Sequence, residues 1–215
     1  MLRGVGRESG LALGELLRAH PDFASLAGDA VHDWLPAALR DPDSALSLLL
    51  RENGFAPAFS VRQMMYSGGP FPESALPFSP YRDGDYPAVQ ELISRSFYDL
   101  RRAVGITPEY IALSPECREL FARCAGDLFT LRQSGRIIGF CTAIEHEVDN
   151  VCVDEGHRGQ GLGAALVMRA VNHILQKGEP SARLCVVDWN AGAYALYRKL
   201  GFTDLYTTYL FRKAE

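Results

Sequence analysis

No stretch of the chain is continuously hydrophobic over the length that a bilayer requires, and Met1 to Leu13 alternates glycine with charge where a signal peptide would carry an apolar segment. Neither a secretion signal nor a membrane span is expected, and the cytoplasm is the default compartment. Cys-x-x-Cys pairs are also missing. The five cysteines (Cys117, Cys124, Cys141, Cys152, Cys185) are odd in number, widely spaced and set among apolar neighbours, which argues against a disulfide framework and for buried thiols. No metal site is expected. Long runs of one charge sign are lacking too, and the net charge of −4 leaves no cluster of Lys and Arg to displace the counterions of a nucleic acid.

What is present fits an ordinary folded core. With 215 residues, 47% of them hydrophobic and 22% charged, the chain suits one large domain, or a domain of about 140 residues with a smaller appendage. A short strand is predicted at 76–81, followed by a turn at Asp83-Gly84-Asp85. The helix after it has Pro87 in its first turn and Val89, Leu92, Ile93 and Phe97 on one face. Ser114-Pro115 opens a second helix. Strands at 127–133 and 136–144 are joined by Ser134-Gly135, a hairpin signal, and a third strand spans 147–153. A helix over 162–176, a strand at 184–187, a helix at 191–200 ended by Gly201 and a last strand at 204–211 complete the series. This alternation predicts an α/β fold with a mixed sheet covered by helices.

The strongest functional signal is Arg158-Gly159-Gln160-Gly161-Leu162-Gly163, placed between a strand and a helix. Glycine amides and the positive end of a helix dipole converge there on a pocket for a diphosphate. A P-loop is excluded, because no Gly-Lys-Ser/Thr follows. Gly159-x-Gly161-x-x-Ala164 and Asp188 also fit a dinucleotide fingerprint, but five residues separate Val153 from the first glycine, and only 27 residues follow Asp188. Those spacings count against it.

Residues 1–70 contain a faint echo of the remainder. Leu49 to Phe55 aligns with Leu196 to Phe202 at an offset of 147, which sets Asp43 against Asn190, and Arg7, Gly10 and Ala12 echo Arg158, Gly161 and Gly163. Two readings follow: a degenerate half-repeat, or two unrelated helix-Gly-Phe-strand units. The first gives a small N-terminal α+β half-domain at 1–70, a linker and first strand at 71–80 within the Pro, Gly and Ser cluster 67–80, and a larger domain at 81–215.

The run Val153 to Gly163, followed by Asn190-x-x-Ala193-x-x-Leu196-Tyr197-x-Lys199-Leu200-Gly201-Phe202, resembles the GCN5-related N-acetyltransferase (GNAT) superfamily. The resemblance covers about 76–215 well and 1–70 only in degenerate form. It implies a splayed central sheet, acetyl-CoA as co-substrate and acetyl transfer to a primary amine. Val151, Cys152 and Val153 would receive the pantetheine arm. Arg158, Gly159, Gln160, Gly161, Leu162 and Gly163 would hold the diphosphate, with Arg158 supporting the loop. Asn190 would contact the pantetheine or adenylate, or cap the helix after it, or do both. Tyr197 matches the tyrosine that protonates the departing thiolate. A phenol and a thiol of similar acidity exchange a proton with little bias, although the same residue could be a core aromatic.

The base is the least defined part. A strand regular over 147–153 would put Glu147 and Asp149 on one face with Val151 and Val153, and Glu147 is preferred because such an acid often precedes the acetyl-contacting backbone by about four residues. His146 would face away, and His157 would be exposed at the loop. The acceptor would be met by 97–127, where Tyr98, Arg101, Arg102, Tyr110 and Glu116 suit a carboxylate-bearing amine or simply a helix surface. A small-molecule amine is preferred. A protein N-terminus or lysine is the competing acceptor, and a non-catalytic CoA-binding sensor or scaffold is the competing function. A homodimer is plausible by family habit.

Overall fold

The computed structural model describes residues 34–39, 45–52 and 54–213. The chain divides into two compact units, Met1–Arg62 with Tyr206–Glu215, and Gln63–Leu205. That division precedes the boundary expected at 70 and gives the end of the last strand to the first unit. The glycine loop expected at Arg7 to Ala12, and Asp43, lie outside the described residues.

In the first unit, β1 (Trp34–Leu39) pairs antiparallel with the end of β8 (Thr203–Lys213). Helix α1 (Ala45–Glu52) is followed by Gly54 at φ +81°, and strand β2 (Phe55–Tyr66) begins at the next residue. The second unit contains the same succession. Helix α5 (Ala191–Lys199) is followed by Gly201 at φ +93°, Phe202 and β8. A glycine in the left-handed region lets each chain leave its helix with the last carbonyls satisfied. The 147-residue offset therefore joins two segments of like local structure.

The second unit is built on strands in the order β7-β6-β5-β4-β3. They are β3 (Phe78–Pro80), β4 (Leu128–Gln133), β5 (Arg136–Ile144), β6 (Glu147–Val153) and β7 (Ala182–Val187). The β4–β5 hairpin turns at Ser134 and Gly135, both at positive φ, and Glu145 at φ +54° turns β5 into β6. The predicted elements are present with small shifts at their ends, and the mixed sheet is as expected. β3 to β6 are antiparallel neighbours, whereas β6 and β7 run parallel.

Two apolar layers cover this sheet. Helix α4 (Leu162–Gln176) buries Leu166, Val167, Ala170, Val171 and Ile174 against Cys141, Ala143, Val148, Leu184 and Val186. Helix α2 (Tyr86–Ala103) buries Val89, Leu92 and Ile93 on the other face, with Phe140, Cys152 and Phe121 of helix α3 (Pro115–Arg123). The helical residues recur at three and four positions and the strand residues at two, so each element gives one apolar side to a layer. Ser114 caps α3 through its hydroxyl, which accepts from the Cys117 N–H at 3.4 Å.

The Pro, Gly and Ser segment after β2 is a strap rather than a free connection. Asn172 of α4, 8% exposed, accepts from the Phe71 N–H at 2.7 Å and donates to the Phe71 carbonyl at 2.9 Å. The Tyr66 ring stacks on Phe71 at 4.8 Å, and its hydroxyl donates to the Gly69 carbonyl. An amide side chain that meets both backbone groups of one residue closes a 101-residue separation with two bonds. Asn172→Ala leaves both Phe71 groups unpaired, so it should lower the unfolding free energy by about 2 kcal/mol, read from denaturant titration.

Candidate active site

The site begins where β6 and β7 part. Glu147 and Arg183 are register partners, and the Arg183 N–H donates to the His146 carbonyl at 2.8 Å. No second pair is registered between the two strands, so beyond it the facing backbone groups of β6 lack a ladder partner. Unpaired backbone donors and acceptors require water or a ligand. This opening is the splay that the sequence resemblance implied.

Strand β6 carries a bulge at the opening. Cys152 pairs with Phe140 and Asp149 with Thr142, so two residues, Asn150 and Val151, stand opposite Cys141 alone. Asn150 takes φ +50°, a left-handed conformation that asparagine tolerates better than most residues. The extra residue reverses the alternation. Val148, Val151 and Val153 all pack on the α4 layer, while Cys152 belongs to the α2 layer. Glu147 and Asp149 therefore lie on the face away from Val151 and Val153, contrary to a regular period of two. The Cys152 side chain is fully buried, which leaves only its backbone for a ligand.

β7 brings a second set of side chains to the same face. Ala182, Leu184 and Val186 are buried in the α4 layer, so Arg183 and Cys185 point the other way and are exposed. Asp149 keeps surface open to solvent, but protein packed around the rest of it raises its carboxyl above the usual carboxylate range, partly offset by the Asn150 N–H. Burial likewise pushes the Cys185 thiol up to about 11, with the Asp149 and Glu147 charges adding to it.

Tyr197 approaches from α5. It is 8% exposed and packs against Phe202 at 6.0 Å between ring centres. Burial raises its phenol well above the ordinary value, and the nearby Cys185 and Asp149 add to the effect. The ring belongs to the core layer under α4, which is one of the two readings of this residue. Its hydroxyl has no hydrogen-bond partner among the described residues.

The glycine turn lies at the other end of β6. Gly159 and Gly161 take φ +76° and +79°, and Gly161 occupies the N-cap of α4 without a side-chain cap. The first amides of the helix thus receive no side-chain cap, and amides so placed can receive an anion. Gly163 passes Leu196 and Val153 at a distance where a methyl group would just touch. Arg158 donates through Nε to the Val153 carbonyl at 3.3 Å, which supports the loop, and Gln160 reaches back to the Gly156 carbonyl. Leu162 starts the helix, half-buried. His157 is not simply exposed: Nδ1 meets Asp154 at 3.1 Å and Nε2 meets Gln133 at 2.7 Å. Asn190 accepts from the Ala193 N–H at 3.1 Å, so it does cap α5.

In the segment 97–127, two of the residues noted from sequence are bonded within the protein. Arg101 donates through Nε to the Pro108 carbonyl at 2.8 Å, and Tyr110 bonds Glu91 on α2. Both are engaged in holding the α2–α3 connection. Sequence reasoning missed Arg183 and Cys185, whose alternation with Ala182, Leu184 and Val186 could have marked them as the open side of a strand.

Residues 86–202 match the Acetyltransferase (GNAT) family. A mycothiol acetyltransferase of Segniliparus rotundus is 31% identical over 220 residues, covering 94% of this chain and 79% of that protein. A thialysine N-epsilon-acetyltransferase of Bos taurus is 38% identical over 58 residues, 27% of this chain and 34% of that protein. Several curated relatives are thus matched over only about a third of their length. Among solved structures, a GCN5-related N-acetyltransferase from Sphaerobacter thermophilus superposes with a TM-score of 0.61 at 22% identity, covering 79% of this chain and 56% of that one. With a glycine turn at a helix N-terminus, a sheet opened beside it and a family match across more than half its length, the chain belongs to the GNAT family of acetyltransferases.

Proposed function

We propose that the protein transfers an acetyl group from acetyl-CoA to a primary amine of a small molecule. The observation that carries this reading is the opening between β6 and β7, with Asp149 and Tyr197 at its sides and the glycine turn at its end. Relatives named for mycothiol and for the ε-nitrogen of thialysine support a small-molecule acceptor.

The residues fit such a donor. Leu162, Gly163 and the positive-φ glycines before them offer amides to a diphosphate, and Asn190 stands at the neighbouring helix start. The unpaired edge of β6 near Val151 to Val153 offers backbone groups to the amides of a pantetheine arm. When bound, the thioester supplies an activated acyl carbonyl and a thiol leaving group. Backbone N–H donors fixed on a strand polarise a carbonyl oxygen without having to reorganise.

Two side chains move protons. An alkyl ammonium is almost wholly protonated near pH 7, so a base must take its proton before attack. Asp149 is the better placed acid, because crowding raises its basicity and the bulge turns it into the opening. Glu147, preferred from sequence, lies two residues nearer the closed end of the splay and serves as the second candidate. Tyr197 holds its proton firmly and donates it to the departing thiolate.

Acetyl-CoA should give a saturable heat on titration, and thiol release should follow when amines are added. Saturable binding without turnover on any small amine or peptide would favour a CoA-binding sensor instead. Tyr197→Phe should lower kcat by on the order of a hundredfold with acetyl-CoA binding retained. Gly161→Val places a branched side chain at φ +79° and should weaken acetyl-CoA binding at least tenfold by calorimetry.

Asp149→Asn separates activity from stability. A carboxyl with a raised folded pKa holds its proton more tightly in the folded state, so ionising it removes stability as pH rises from the unfolded value through the folded one. At pH 7 the asparagine variant should be at least as stable as the parent by thermal unfolding. Its kcat/KM should fall by on the order of a hundredfold or more, and the acid limb of the pH–rate profile, which lies above the ordinary carboxylate range, should vanish.

A further inference from the structure

We propose that Arg183 selects the acceptor: the preferred amine carries an anionic group, and that group binds the Arg183 guanidinium while the amine approaches Asp149. The inference rests on the opening being the acyl-transfer site.

Four side chains share the face of the opening away from α4: Glu147 and Asp149 on β6, and Arg183 and Cys185 on β7. Arg183 is exposed, and its side chain has neither a hydrogen bond nor an ion pair among the described residues. This holds even though Glu147 is its register partner, because no salt bridge joins the two. Of the two arginines noted from sequence as suiting either a carboxylate or a helix surface, Arg101 is bonded to the Pro108 carbonyl. A strand also fixes Arg183 more firmly than a loop would, so only its side chain has to be ordered when a ligand binds.

Spacing then limits the acceptor. Asp149 lies two residues along β6 from the partner of Arg183, a displacement of about 7 Å along the strand. Cys185, between Arg183 and Val187 on β7, is exposed on the same face and carries no bulky side chain. The two carboxylates attract the ammonium end, and the one guanidinium offers a planar pair of donors to a carboxylate or similar anion. The geometry describes an amine joined to an anion by a flexible chain of several carbons, not an alkyl polyamine.

Matched acceptors test this: lysine against 1,5-diaminopentane, and 6-aminohexanoate against 1-aminohexane, each with saturating acetyl-CoA and the full chain. The intact protein should favour the carboxylated member of each pair by at least tenfold in kcat/KM. Arg183→Ala should raise KM for that member on the order of tenfold, leave kcat within about twofold, and leave the partner that lacks a carboxylate unchanged. Arg183→Lys should recover part of the loss. Equal use of both members by the parent overturns the proposal, as does a preference that survives Arg183→Ala. So does failure to acetylate either pair while acetyl-CoA still binds saturably, which leaves the reading of the donor site intact. Absence of saturable acetyl-CoA binding overturns that reading and this inference with it.

Discussion

Everything at the site follows from β6 and β7 meeting at one registered pair and then separating. A parallel ladder continued to Val153 would consume the strand edge in internal hydrogen bonds and close the sheet. The strands are held apart while their outer faces stay packed, because α4 covers Val148, Val151 and Val153 on one strand and Leu184 and Val186 on the other. The cost of leaving backbone groups unpaired is confined to a place where solvent or ligand can reach them. The glycine turn completes the arrangement, since it follows directly from the end of the same strand.

The bulge at Asn150 decides which side chains the opening presents. One extra residue lets Val148 and Val151, three apart, share the α4 layer, and it sends Asp149 toward the opposite face. Without it, either Asp149 would be forced into an apolar layer or Val151 would be lost from it. A short region of left-handed backbone thereby reconciles a continuous core with a carboxylate at the cleft.

Most of the second unit was legible from periodicity and punctuation. Ser134-Gly135 marked the hairpin, Ser114-Pro115 the start of α3, and Gly201 the end of α5, because each residue type answers a local backbone requirement that no distant contact overrides. The strap was not legible: Asn172 pins Phe71 across 101 residues, and nothing local in a Pro, Gly and Ser segment announces such a partner. The face of Asp149 was misjudged because a strict period of two was carried through Asp149-Asn150, two residues poorly suited to a regular strand. Arg183 was overlooked for another reason: its place beside the opening is set by a neighbour in space, Glu147, rather than by its own surroundings in sequence.

His157 and Arg158 have a further consequence. One bridges Asp154 to Gln133 on the β4–β5 hairpin, and the other ties the turn to the Val153 carbonyl. These bonds are internal to the protein, so the turn that would receive a diphosphate under the proposed function is held by the fold itself. The entropy of ordering a glycine-rich segment is thus spent during folding, and association need not meet it a second time.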